Sequence, residues 1–294
     1  MRAFAFGWAI SLAIGAGAAT PLRVASLNLC TDELVLSLAR PGQIISVTHL
    51  SRDPRESALW QKARRYRAND GSLMAVATLR PDLVLAMGGG GRDRELIARA
   101  IGAKLIVLPY PESLDDVEAG IARVADALGR SDTGRRLIGE IRAARKFAPV
   151  RRHDAIFLAG GGRSLSPDGL GAQWLRLAGL RQRSLKEGRI DAETMLAFPP
   201  GLLVRSDYRA DQSSREQQWL THPALRKIHA PQVSTEGRRW TCMGPTLLPE
   251  VLRLRRIAQP QNHSVIPAKA GIPLSMRARS RSGIPTFAGM TEKQ

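Results

Sequence analysis

Arg23 to Ala39 reads RVASLNLCTDELVLSLA, and its two halves obey different periodicities. Arg23 to Leu27 alternates as a strand does, whereas Leu34, Leu36, Leu38 and Ala39, after an acidic first turn, read as a buried helix. Between them lies the polar joint Asn28-Leu29-Cys30-Thr31. Thr31 is the expected N-cap, and Asp32 and Glu33 stand where a helix dipole favours carboxylates. The stretch therefore delivers a polar turn to the carboxyl end of a first strand, the edge at which open α/β sheets bind ligands.

Outward from this unit the strand-helix alternation continues. Gln43 to Thr48 is a second strand with the loop His49 to Pro54 at its end, and a helix over Arg55 to Arg65 leads into the turn-rich Tyr66 to Gly71. A short helix from Ser72 to Leu79 is stopped by Arg80-Pro81-Asp82. Strand Leu83 to Met87, helix Arg92 to Ile101, strand Lys104 to Leu108 and helix Ser113 to Leu128 complete one βα domain. From Ser131 to about Phe147 a helix follows with no strand after it until Asp154. At 1.5 Å per residue it spans about 25 Å, which suits a connector. A second, smaller domain resumes with strand Ala155 to Ala159, loop Gly160 to Gly171, helices Ala172 to Leu177 and Asp191 to Phe198, and strand Leu202 to Arg205. A polar stretch to Glu216, a helix near Gln217 and the His222-Pro223 turn precede strand Pro231 to Thr235 and a closing helix from Thr246 to about Ile257. The expectation is an α/β protein of two lobes with mainly parallel sheets, joined by one long helix, with a ligand cleft between them: lobes 19–130 and 151–259, connector 131–150.

The 294 residues and 44% hydrophobic content suffice for two such domains. A formal charge of +18 would ordinarily suggest nucleic acid. The excess is scattered arginine with no basic stripe or interleaved aromatics, so no nucleic-acid partner is expected. Met1 to Ala18 reads as an export signal, with Arg2, an apolar run to Ile14 and small residues for cleavage after Ala18. The expected location is the periplasm. Pro260 to Gln294 lacks periodicity and reads as a disordered tail.

Catalytic constellations are missing: there is no GxSxG around Ser26, Ser164 or Ser166, no HExxH and no apolar carboxylate pair. No enzymatic activity and no resident cofactor are expected. Gly88 to Gly91 opens a helix after a strand but departs from both the phosphate-loop and dinucleotide patterns, so it reads as a turn facing a cleft, matched by Gly160 to Gly162 in the second domain. His49 alone among the five histidines stands at a strand's carboxyl end; a ligand contact and a plain polar loop residue both suit it. A mononuclear site from Cys30, His49, Asp53 and Cys242 is chemically possible, since thiolate and imidazole suit zinc or copper. Nothing local fixes that geometry.

SLNLCTDEL (26–34), LRPDLVLA (79–86), the lone crossing helix, LRLAGL (175–180) and TCMGP (241–245) together resemble the periplasmic substrate-binding proteins of ABC importers for cobalamin and ferric siderophores. The resemblance runs from Arg23 to Ile257. It implies capture of a cobalamin-like or ferric-siderophore chelate by a monomer, and delivery to an inner-membrane permease. It also implies a cleft lined by Asn28, Cys30 and Thr31, by His49 and Arg52, by Arg92, by Arg163, and by Trp240 and Cys242. Trp240 is either an aromatic platform for the ligand or a core tryptophan capping the last helix. Arg52, Arg92 and Arg163 add charge that favours anionic chelates. Glu193 matches the family's second-lobe docking glutamate, while Met74 occupies the first-lobe position; Glu95 or Glu56 are possible substitutes. RANDG before Ser72 stands where cobalamin binders carry a tryptophan. Cys30 and Cys242 come to face one cleft, where ligand contact, metal binding and a bridge all stay open. A disulfide is the least expected of these, because it would restrain opening.

Overall fold

The computed structural model describes residues 21–89, 92–209, 218, 223 and 227–259. Residues 1–20, where the export signal is expected, Gly90 and Gly91, most of the stretch from Ala210 to Arg226, and the residues beyond Gln259 lie outside the described residues.

The first lobe is a five-stranded sheet in the order β3-β2-β1-β4-β5, built from β1 (Val24–Ser26), β2 (Ile44–Thr48), β3 (Arg67–Asn69), β4 (Leu83–Met87) and β5 (Lys104–Leu108). Every pairing in it is parallel. Helix α1 (Leu29–Leu38) follows β1, and short α2 (Trp60–Ala63) and α3 (Met74–Ala77) flank β3. Helices α4 (Arg92–Ala100) and α5 (Leu114–Ala127) flank β5. Helix α6 (Ser131–Lys146) is the connector, about 24 Å long from its 16 residues. Ion pairs from Arg142 and Arg145 to Glu118 strap it to α5. The second lobe is a parallel sheet in the order β7-β6-β8-β9, from β6 (His153–Leu158), β7 (Leu180–Gln182), β8 (Leu202–Ser206) and β9 (Gln232–Thr235). Helices α7 (Leu170–Leu177), α8 (Ala192–Ala197), α9 (Arg239–Cys242) and α10 (Leu248–Ala258) surround it.

One apolar cluster runs from Val24, Leu36 and Leu85 through Ile141 of α6 to Phe157, Trp174 and Val204. Separate clusters cover the far face of each sheet, around Leu73 and Val84 in the first lobe and Ile156 and Leu203 in the second. The lobes thus share a core along the connector, while each keeps one face of its own.

Three expectations fail locally. Strand β3 replaces what reads as a turn, and β7 falls in the unassigned stretch between two expected helices. Each is a three-residue edge strand, too short to display alternation. The helix expected from Arg55 to Arg65 shrinks to Trp60–Ala63, because Glu56 and Ser57 are drawn into contacts with the second lobe. The cap of α1 is Asn28 instead of Thr31: the Cys30 amide donates to Asn28 Oδ1 at 2.8 Å.

Candidate functional site

The parallel strands of each lobe bring their carboxyl ends to one edge, and the loops leaving those edges meet across the seam between lobes. Cys30 at the end of β1 and Cys242 in α9 form a disulfide. The Tyr208 hydroxyl, just past β8, donates to Glu56 Oε2 at 2.7 Å, and Arg209 forms an ion pair with the same carboxylate. Arg238, past β9, donates to the carbonyl of Pro54. The Thr246 amide donates to Glu33 Oε1 at 3.2 Å. Arg209 and Met243 both adopt positive φ, 54° and 48°, so two non-glycine residues at this seam hold a conformation that ordinarily favours glycine.

Several residues expected to line the ligand have other duties. Cys30 and Cys242 carry no free thiol, which removes them as metal or ligand donors and rules out the Cys30/Cys242/His49 metal site. Among the described residues no three His, Cys, Asp or Glu side chains are grouped to hold an ion. Thr31 is fully buried, its hydroxyl 2.8 Å from Ser26 Oγ and donating to the Asn28 carbonyl. Trp240 is 5% exposed; it donates to Thr235 Oγ1 at 2.8 Å and tilts against Phe157 at 4.8 Å. It is a core side chain, not a platform, because its indole nitrogen and ring face are both occupied from within the lobe. Arg92 opens α4 and Arg163 follows the second glycine turn, both exposed.

His49 and Arg52 are brought together. With Asp53, Arg55 and Arg64 they line an open basin of about 490 Å³ at the end of β2. The floor is fixed by a buried polar network. Thr48 donates its amide to Asp32 Oδ2 at 3.0 Å, and Ser51 donates to the Thr48 carbonyl at 2.9 Å. Asn69 Nδ2 donates to the Ser26 carbonyl at 2.9 Å, while the Asn69 carbonyl accepts the His49 amide at 2.9 Å. Burial pushes the Asp32 carboxyl up to about 6, although hydrogen bonds from Ser26 and Thr48 act against the shift. Arg64 stacks its guanidinium 4.7 Å from the Trp60 ring centre. In the wall, Asp53 pairs with Arg55 at 3.0 Å, and that hydrogen bonding holds its carboxyl below the usual range.

A second cavity, about 160 Å³ and mostly apolar, lies between α1, α5 and the disulfide, with Met87, Leu108, Pro109 and Val117 in its wall. Arg123 stands beside it. Neither cavity is lined by Arg92 or Arg163. Arg64, Tyr208, Arg209 and Arg238 were not singled out from the sequence. Their only sequence signal is position, since Tyr208, Arg209 and Arg238 each fall within three residues of a strand's carboxyl end.

The architecture has solved counterparts. The chain shares the fold of periplasmic heme- and vitamin B12-binding proteins. The heme-binding protein RhuT from Roseiflexus sp. RS-1 superposes with a TM-score of 0.62 at 22% identity, over 81% of this chain and 97% of that one. The heme-binding protein HutB of Vibrio cholerae gives 0.63 at 16% identity, covering 80% and 98%. The vitamin B12-binding protein BtuF of Vibrio cholerae gives 0.55 at 17%, covering 82% and 99%. No protein-family model and no curated protein matches the sequence.

Proposed function

We propose that this chain is the periplasmic, non-enzymatic substrate-binding component of an ABC importer, and that its cargo is a tetrapyrrole or a related metal chelate. The observation that carries the reading is the pairing of two parallel sheets, carboxyl edges meeting at one seam, on a single connecting helix. Solved proteins of that fold, matched over nearly their whole length, are described as heme and vitamin B12 binders. Heme and corrinoid therefore stand ahead of ferric siderophores as cargo. A disulfide agrees with an oxidising compartment, and no helix among the described residues is long and apolar enough to cross a membrane. Monomeric capture and hand-over to a permease complete the reading. Glu193, exposed in the first turn of α8, is the proposed docking contact of the second lobe. Met74, 65% exposed, leaves the first-lobe contact without charge.

The test is titration of the oxidised protein with hemin, cyanocobalamin and ferric siderophores, followed by tryptophan fluorescence and calorimetry. Saturable binding of a tetrapyrrole is expected, and Glu193→Arg should keep that binding while abolishing uptake in a reconstituted importer. Silence toward every chelate would sink the reading.

A further inference from the structure

We propose that the face where the end of α6 meets the end of α10 is a contact surface for an anionic phospholipid bilayer, with Phe147 and Val150 entering the interface and Lys146, Arg151, Arg152 and Arg256 meeting lipid phosphates. This surface is independent of the transport reading, because it lies at the edge of the second sheet opposite the seam.

The sequence spreads its arginines, and the fold gathers some of them. From Arg142 to Arg152 the chain reads RAARKFAPVRR and from Val251 to Gln259 VLRLRRIAQ, with no acidic residue in either. The two segments are far apart in sequence yet interlock. Arg255 donates to the Ala144 carbonyl at 2.9 Å, and Gln259 Nε2 reaches the Arg151 carbonyl at 3.5 Å. Phe147, Leu252 and Arg256 stand in the wall of one groove. The pairs Arg151-Arg152 and Arg255-Arg256, isolated along the chain, thus belong to one surface.

Partners decide which of these cations are available. Arg142 and Arg145 are held by Glu118 and Asp115, and Arg255 by the carbonyls of Leu177 and Ala144. Lys146, Arg151, Arg152 and Arg256 are exposed and have no carboxylate partner among the described residues. Glu140, the acid in the groove wall, is taken up by Arg136. The face therefore presents positive charge with no anion to meet it.

Apolar exposure decides what kind of anion fits. Phe147 is 70% exposed and Val150 97%. Singly such residues are ordinary. Here they share one short loop, bracketed by Lys146 and by Arg151-Arg152, and form an apolar tip with a cationic rim. At a bilayer the ring and the aliphatic side chain sink below the phosphates while the ammonium and guanidinium groups meet them. An acidic protein face would take the cations but offers a projecting valine nothing to enter. Because β6 begins at His153 in a parallel sheet, the tip stands at that sheet's amino edge, while the cleft loops leave the carboxyl edge. A lipid-bound molecule therefore keeps its seam turned away from the bilayer, which suits capture of cargo and not hand-over.

The experiment is co-sedimentation of the oxidised mature protein, Ala19 to Gln294, with vesicles of phosphatidylcholine alone and of an equal mixture with phosphatidylglycerol. Binding to the mixed vesicles only is expected, weakening as salt rises. Arg151→Ala with Arg152→Ala should weaken it by roughly ten- to thirtyfold, since each cation at an anionic surface contributes a factor of about five. Removing equal charge at Lys186 and Arg189, exposed past the carboxyl end of β7, should change it by less than about twofold. Phe147→Ser with Val150→Ser should weaken it by roughly five- to tenfold, a loss that persists at high salt. All these side chains are exposed, so unchanged urea midpoints should accompany every variant, and the residues beyond Gln259 are the same in each. No binding to mixed vesicles, equal binding to both vesicle types, or equal losses in the two charge variants overturns the proposal. Full binding by Phe147→Ser with Val150→Ser, together with displacement by soluble polyglutamate, also overturns it and assigns the face to an acidic protein. None of these outcomes bears on cargo binding.

Discussion

Asp32 shows how one residue can read correctly by position and wrongly by role. It stands in the first turn of α1, where a carboxylate favours the helix dipole, yet it is completely buried. Its Oδ2 takes both the amide and the hydroxyl of Thr48, and Oδ1 has no partner among the described residues. Desolvation dominates, so the carboxyl rises from 3.8 to about 6. The folded protein then binds this proton more tightly than the unfolded chain does. Below about pH 4 the group costs nothing; as pH rises to about 6 the penalty for ionising it in the fold grows to about 3 kcal/mol. Wild type should therefore lose stability relative to Asp32→Asn across that interval, read as the difference between their denaturant midpoints at each pH. Parallel curves for the two proteins would contradict the shift. Thr31 and Trp240 carry the same lesson, since polar or aromatic character at a cleft-facing position did not reveal that Ser26, Thr235 and Phe157 already occupy them. The polar joint was legible; its inward direction was not, because direction is set by packing from distant strands.

At the scale of elements, the longer apolar strands announced themselves. Leu83–Met87 and Lys104–Leu108 have the bounds that their apolar runs predict. Edge strands β3 and β7 did not, nor did the segment Arg55 to Ser57, whose conformation answers to Tyr208 and Arg209 some 150 residues away. The exit from β9 depends on a close approach. A Cβ on Gly237 would lie 2.3 Å from Ser206 Oγ and 2.4 Å from the Tyr208 amide nitrogen. Gly237→Ala must push aside the β8 exit that carries Tyr208 to Glu56, and should cost about 1–3 kcal/mol. Gly139, exposed within α6, meets nothing within 4 Å. There the same substitution should stabilise by about 0.5–1 kcal/mol, because alanine loses less backbone entropy in a helix. Urea midpoints shifting in opposite directions would support both assignments, whereas a neutral Gly237→Ala would refute the steric one.

For the whole molecule, the disulfide changes how the lobes can move. Two lobes on one helix already share an apolar core along α6, and the Cys30–Cys242 bond adds a second covalent tie at the strand edges. From the sequence a disulfide is the least expected role for the two cysteines, because it restrains opening. The restraint is real, and the fold accommodates it because the tie lies on the same seam as Glu33–Thr246 and Glu56–Tyr208. Opening is then confined to motions that leave these loops together, which is compatible with the proposed role if the connector permits a small rotation. Closing a loop across a separation of 212 residues restricts the unfolded chain by about 5 kcal/mol in the chain-entropy account. Reduction, or the double substitution Cys30→Ser and Cys242→Ser, should therefore lower stability by up to about that amount. It should also enlarge the change in radius of gyration on ligand binding, since among the described residues the seam then keeps its hydrogen bonds and the Glu56–Arg209 pair without a covalent tie. Equal denaturation midpoints and an equal scattering response in the oxidised and reduced proteins would show that the non-covalent contacts alone set the lobe geometry.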